Sequence, residues 1–85
     1  MIAEKVFAEG VAKDIRNYLP PEYENAEFQV VQKNNGIQLI GVQVNLPERN
    51  ASPIIYMEQF FDEIRQGEPV ERVMNRIASC IEKSS

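Results

Sequence analysis

The chain has 85 residues, 44% of them hydrophobic, a formal net charge of −4 at pH 7, one cysteine and no histidine. This length supports one small domain, and the negative charge argues against nucleic-acid binding, which relies on clustered Lys and Arg. Histidine is the commonest general base and a common zinc ligand, and the lone Cys80 can form neither an intramolecular disulfide nor a structural zinc site. We therefore expect a non-catalytic domain that holds no cofactor and no metal.

The first segment, Met1 to Leu19, predicts an amphipathic helix. Its apolar residues recur at spacings of three, four and seven, the pattern of one helix face. Pro20-Pro21 ends the helix, because a residue that precedes proline is disfavoured in the α conformation. Tyr23, in the acidic connector that follows, is predicted to fold back onto the core. The predicted stripe consists of Val6, Phe7, Val11, Ile15, Tyr18 and Leu19.

Residues 28–44, FQVVQKNNGIQLIGVQV, predict a β-hairpin that turns at residues 33–36. Asn and Gly tolerate the positive φ of tight turns, and apolar, β-branched residues flank them. A two-residue turn at Asn35-Gly36 would pair Val31 with Ile40, whereas a three-residue loop at 34–36 would pair Val30 with Ile40. We prefer the second register, with Phe28 opposite Val42, because it collects a continuous apolar face. That face holds Phe28, Val30, Ile40, Val42 and Val44.

The preferred register leaves Val31, Ile37 and Leu39 on the opposite face of the hairpin. Helices on one side of a small sheet cannot hide both faces, so this second face is either covered by another part of the chain or exposed as an apolar patch. Gly41, in mid-strand, suits close approach by a ligand or by a side chain. We favour a side chain, from Phe28 or from a helix.

The second half of the chain predicts a loop, a short extended segment and two helices. Asn45 to Pro53 has two prolines and no periodicity, which is typical of an exposed loop. Residues 54–56 predict a third strand or the lead into a helix that starts near Met57. Gly67 suits the left-handed cap of that helix, and Pro69 the first turn of a last helix that runs to about Lys83. The predicted class is α+β, with an N-terminal helix, an antiparallel hairpin and two C-terminal helices.

A set of short motifs carries a resemblance to a known family. They are Lys33-Asn34-Asn35-Gly36 with Leu39 and Gly41, then Pro53 to Tyr56, and Gly67 before an apolar helix; Leu19-Pro20 with Tyr23 is a looser match. From about Leu19 to Ala78 the chain resembles the N-terminal part of an uncharacterised bacterial family, a domain of unknown function common in gut Firmicutes. The resemblance implies no activity and no site residues. Since members are often longer, it implies either a short member or a fragment.

Our leading hypothesis for function is a protein-interaction or oligomerisation module, with a homodimer as the expected form. Its contacts would come from the second hairpin face (Val31, Ile37 and Leu39) or from an exposed aromatic. Phe60 and Phe61 are adjacent, so they cannot both face the core of a helical layer; one of them, or Tyr56, is a candidate interface anchor.

The alternative hypothesis is a small-molecule or peptide-binding accessory domain of a larger enzyme or regulator. The loop from Asn45 to Pro53 and the hairpin turn would supply polar contacts. We expect a cytoplasmic protein without a membrane partner, because no apolar run approaches the roughly 20 residues of a membrane span and the N-terminus lacks the pattern of a secretory signal. The candidate ligand contacts are Lys33, Asn34, Asn35, Arg49 and Asn50.

Overall fold

The computed structural model describes residues 3–34, 36, 38–48 and 50–84. Within these residues the chain forms three α-helices and three strands, and short 3₁₀ turns at Ile15–Tyr18 and Pro21–Tyr23 precede the first strand. The predicted α+β class is confirmed, and residues 54–56 form the third strand. The elements in chain order are α1 (Glu4–Asp14), β1 (Glu27–Asn34), β2 (Gln38–Asn45), β3 (Ile54–Tyr56), α2 (Glu58–Arg65) and α3 (Val70–Ser84).

The strands form one antiparallel sheet in the order β1-β2-β3. Val30 pairs with Val42, whereas Val30 opposite Ile40 was predicted, so the predicted register is wrong by two residues. The last pair before the turn is Asn34 with Gln38, because Asn34 extends the strand instead of opening the turn. A shift of two residues leaves every side chain on its own face. The predicted apolar face is therefore present.

The helices pack on that apolar face. α1 crosses β1 and β2, α3 lies beside β3, and α2 contacts both α1 and α3. The molecule measures 36 × 31 × 19 Å. The shortest of these dimensions corresponds to the thickness of one sheet and one layer of helices. Tyr23 folds into the core, as predicted. The largest fully buried side chains are Val11, Ile15, Val42, Val44, Met57, Val73, Ile77 and Ile81.

The first helix is shorter than predicted, and it buries a different face from the one predicted. Its α-helical part ends at Asp14, and the chain continues as a 3₁₀ turn to Tyr18. Val6 is 57% exposed, so its place in the predicted stripe was wrong. Ala8, about 200° round the helix from Val6, is fully buried instead, and its small side chain suits close contact with the sheet.

The connection between α2 and α3 has the predicted glycine cap. Gly67 adopts φ +97°, and its N–H donates to the Ile64 carbonyl at 3.0 Å. The Glu68 N–H donates to the Glu63 carbonyl at 3.0 Å, which completes a Schellman motif. The last helix begins at Val70, one residue later than predicted, and Val70 is 60% exposed at its start.

Candidate functional site

The face of the sheet that points away from the helices is the candidate site, and we call it the open face. Its side chains come from alternate residues of each strand, because Val31 pairs with Gly41 and Gly41 with Tyr56. Helix packing is confined to the other face in the part of the chain that the structure describes. The open face comprises Glu27, Gln29, Val31, Lys33, Leu39, Gly41, Gln43, Asn45, Ile54 and Tyr56.

The centre of the open face is apolar. Val31, Leu39 and Ile54 are half-buried on it, and Tyr56 is 39% exposed. Tyr56 is one of the exposed large hydrophobic residues among those described. From the sequence it was a candidate interface anchor only as an alternative to Phe60 or Phe61. Two of the three side chains predicted for this face are thus in place. The third, Ile37, lies outside the described residues.

Gly41 lies at the middle of this surface, and two side chains of β3 pack over it. A Cβ at position 41 would lie 2.7 Å from Ile54 Cγ2 and 3.3 Å from Tyr56 Cδ1. Side-chain packing explains this glycine, as we expected. The packing partners, however, come from the third strand and not from Phe28 or a helix.

The two predicted phenylalanine anchors lie in the helical layer. Phe60 is only 6% exposed and belongs to the core, so it cannot be an exposed anchor. Phe61 is half-buried, with its ring centroid 5.7 Å from that of Phe7 and the Arg65 guanidinium 5.8 Å from its centroid. Neither residue lies on the open face, and Tyr56 is its aromatic residue.

The open face carries opposite charges at its two ends. Glu27 and Lys33 are separated from Val31 by even numbers of residues along β1, so all three side chains lie on the same face; both charged residues are exposed. They are six residues apart, about 20 Å in an extended strand. Lys33 lies near the turn, opposite Leu39, and Glu27 lies at the other end, opposite Asn45.

A cavity of about 230 Å³ lies at the Glu27 end, and we call it the end pocket. The Ser52 hydroxyl donates a 2.8 Å hydrogen bond to Asn45 Oδ1 at its edge. Asn50, with φ +51°, brings the loop between β2 and β3 round the pocket. The pocket thus combines a carboxylate with amide and hydroxyl oxygens, which accept hydrogen bonds. Its lining residues are Glu27, Asn45, Leu46, Pro47, Asn50, Ala51 and Ser52.

The structure does not bring the predicted ligand contacts together. Lys33 and Asn34 lie at the turn end of the sheet, whereas Asn50 lines the end pocket at the opposite end. The antiparallel pairing separates them, because the loop after β2 starts where β1 begins. Asn35 and Arg49 lie outside the described residues.

Burial raises the pKa of Glu4, and the nearby carboxylates of Glu58 and Asp62 raise it further. Over the described ranges, acidic and cysteine side chains form no group of three or more that could hold a metal ion. No helix there is long and apolar enough to cross a bilayer.

The chain belongs to a family of unknown function, DUF5688, whose match covers residues 4–85. The expectation of a family of unknown function is thereby confirmed, and the match begins closer to the N-terminus than the span of about 19 to 78 that we predicted. Neither a curated protein nor a solved structure matches the chain.

Proposed function

We propose that this member of DUF5688 is a non-catalytic protein-interaction module that forms a homodimer through its open face. The observation that carries the proposal is the apolar centre of that face, formed by Val31, Leu39, Ile54 and Tyr56, over which none of the described helices lies. Burial of apolar surface favours association. A sheet with apolar residues on both sides gains stability when the second side is also covered.

The charge distribution of the open face favours a second copy of the chain as the partner. Glu27 and Lys33 give the open face opposite charges at its two ends. A two-fold axis can bring such charges together, which makes the surface self-complementary.

The remaining parts of the proposal rest on the sequence. The lack of histidine and the single cysteine support a role without catalysis. The lone cysteine supports a cytoplasmic location. The order of the motifs supports an origin in gut Firmicutes.

Light scattering of the purified chain tests the proposal. We expect a dimer that dissociates on dilution, and we expect Tyr56→Lys to shift the equilibrium to monomer, because a lysine would place a charge within the apolar interface. Val6→Lys is the matched control, since Val6 is also an exposed apolar residue but lies on α1. A wild-type chain that stays monomeric at millimolar concentration would contradict the proposal, as would a Tyr56→Lys dimer as stable as wild type.

A second function, the binding of a small molecule or peptide as an accessory domain, is favoured by the end pocket alone. Its volume and its oxygen groups suit a ligand with hydrogen-bond donors. Amide NMR spectra recorded during titration with a fragment set would show saturable shifts at Asn45, Asn50 and Ser52. Shifts confined to Tyr56 and its neighbours on the open face would count against this function.

A further inference from the structure

We infer that the two copies stack their open faces with their β1 strands antiparallel, so that Lys33 of each copy enters the end pocket of the other. This inference rests on the proposed function, because it needs a dimer through the open face. It adds the orientation of the dimer and assigns the end pocket a ligand, the primary ammonium group of a lysine.

The orientation follows from the positions of Glu27 and Lys33. Two stacked faces can be related by a two-fold axis that runs along the strands or across them. An axis along the strands over β1 would place Lys33 over Lys33 and Glu27 over Glu27, and both contacts would be repulsive. An axis along the strands over β2 would stack β1 on β3 and leave both charges without an opposite charge to meet. An axis across the strands at the level of Val30, midway between the two charges, places each Lys33 over Glu27 of the other copy.

The same axis brings the apolar centres of the two faces together. Val30, Val42 and Ile55 form one rung of the sheet, and the axis crosses this rung. Tyr56 lies on the neighbouring rung, about 3.4 Å away along the strand. The two Tyr56 rings therefore flank the axis, and each adds its aromatic surface to the centre of the interface.

The end pocket suits a lysine head group. An ammonium group donates three hydrogen bonds, and the pocket offers the Glu27 carboxylate with side-chain oxygens of Asn45 and Asn50. Stacked sheets lie about 10 Å apart and cross at about 30°, so the ends of facing strands are displaced sideways. The four-carbon stem of Lys33 crosses part of this gap and adjusts to the displacement, and the Glu27 side chain of the other copy extends towards it.

Charge reversal at the two positions tests the inference. Lys33→Glu alone would face Glu27 with a second carboxylate, and Glu27→Lys alone would face Lys33 with a second ammonium group. Each dimer contains the contact twice, so we expect either change to raise the dimer dissociation constant about tenfold. The double variant restores opposite charges and should return the constant to within about threefold of wild type.

Matched controls carry the same charge changes on α1. Lys5→Glu and Glu9→Lys alter exposed residues of the helical layer, and we expect both to leave the dissociation constant unchanged. Circular dichroism of each variant confirms that it is folded. Sedimentation velocity over a dilution series supplies the dissociation constants.

The outcomes separate the orientation from the proposed function. If Tyr56→Lys breaks the dimer while the single reversals at 27 and 33 change nothing, the open-face dimer stands and the orientation is overturned. Failure of the double variant to recover also overturns it, because the two residues would not then contact each other. Rescue by the double variant together with an unaffected Tyr56→Lys dimer would indicate edge-to-edge pairing of β1 and would overturn both claims.

Discussion

At the scale of single residues, two glycines in different surroundings predict opposite effects of the same change. A methyl group at Gly41 would lie 2.7 Å from Ile54 Cγ2 and 3.2 Å from the Ile55 carbonyl oxygen, and the backbone oxygen cannot easily move away. We expect Gly41→Ala to lower the free energy of unfolding by about 1–3 kcal/mol. Urea denaturation, with the midpoint compared at constant slope, measures the change.

Gly10 is the internal control for this prediction. It lies within α1, and a Cβ there would meet no atom within 4 Å. Alanine is a better helix former than glycine, so Gly10→Ala should raise the free energy of unfolding by about 0.8–1 kcal/mol. Stabilisation by both changes would show that the space over Gly41 is not filled by β3.

The shifted pKa of Glu4 predicts how its contribution to stability depends on pH. Burial favours the protonated form of Glu4 in the folded chain, and Glu58 and Asp62 add repulsion of the ionised form. Its folded pKa lies above the ordinary value of 4.5, so the stability it contributes is complete below that value and is lost as pH rises through the folded pKa. Glu4→Gln should therefore gain stability relative to wild type as pH rises from 3.5 to 7.

Thermal unfolding at several pH values checks this prediction, and the same substitution in a Glu58→Gln background controls for the neighbouring charge. The rise in relative stability with pH should be smaller in that background, because one source of repulsion is gone. A difference between Glu4→Gln and wild type that stays constant from pH 3.5 to 7 would contradict the assignment.

The positions of side chains were predictable from the sequence where periodicity decides them. The two-residue period of a strand placed Val31 and Leu39 on the second face, and that assignment survived a wrong register. It did not decide between Phe60 and Phe61, because both fit the edge of a helical stripe. The inward direction of α2 is set by its contacts with α1 and α3, which no local pattern in the sequence contains.

At the scale of elements, the cap between α2 and α3 gives the most direct prediction. Gly67 holds φ +97°, a conformation that costs an L-residue about 1 kcal/mol or more. Gly67→Ala should therefore lower the free energy of unfolding by about 1 kcal/mol, measured by thermal or urea denaturation. Gly67→Asn should cost less, because asparagine tolerates the left-handed region better than alanine. Equal costs for the two variants would show that backbone conformation is not the cause.

Element boundaries were predicted less well than element types, and the hairpin shows why. The turn chemistry of Asn and Gly allowed more than one loop, and local propensity did not choose among them. The observed register pairs Val30 with Val42 and Phe28 with Val44, and Val42 in turn pairs with Ile55 of the third strand. These residues form the apolar face on which the helices pack. The choice thus depends on contacts between distant segments, and so does the end of α1 at Asp14.

At the scale of the whole molecule, the two-layer architecture explains why the candidate site could be predicted only in part. Counting apolar residues on both faces of the hairpin indicated one face more than the helices can cover, and the open face confirms that surplus. The loop from Asn45 to Pro53 was predicted to supply polar contacts to a ligand, and it lines the end pocket. The contribution of Glu27 was not predicted, because it arises where the loop after β2 returns past the start of β1. The ligand contacts predicted from polar residues alone fell at opposite ends of the sheet for the same topological reason.

A dimer that joins two folded chains predicts a melting temperature that depends on concentration. Binding that involves only the folded state stabilises it by mass action, and a tenfold rise in concentration is worth about 1.4 kcal/mol per dimer. Shared between two chains of this size, it should raise Tm by roughly 3–5 °C. Calorimetry from micromolar to millimolar concentration measures the slope. Tyr56→Lys should abolish the slope and Val6→Lys should preserve it, whereas a constant wild-type Tm would contradict the dimer.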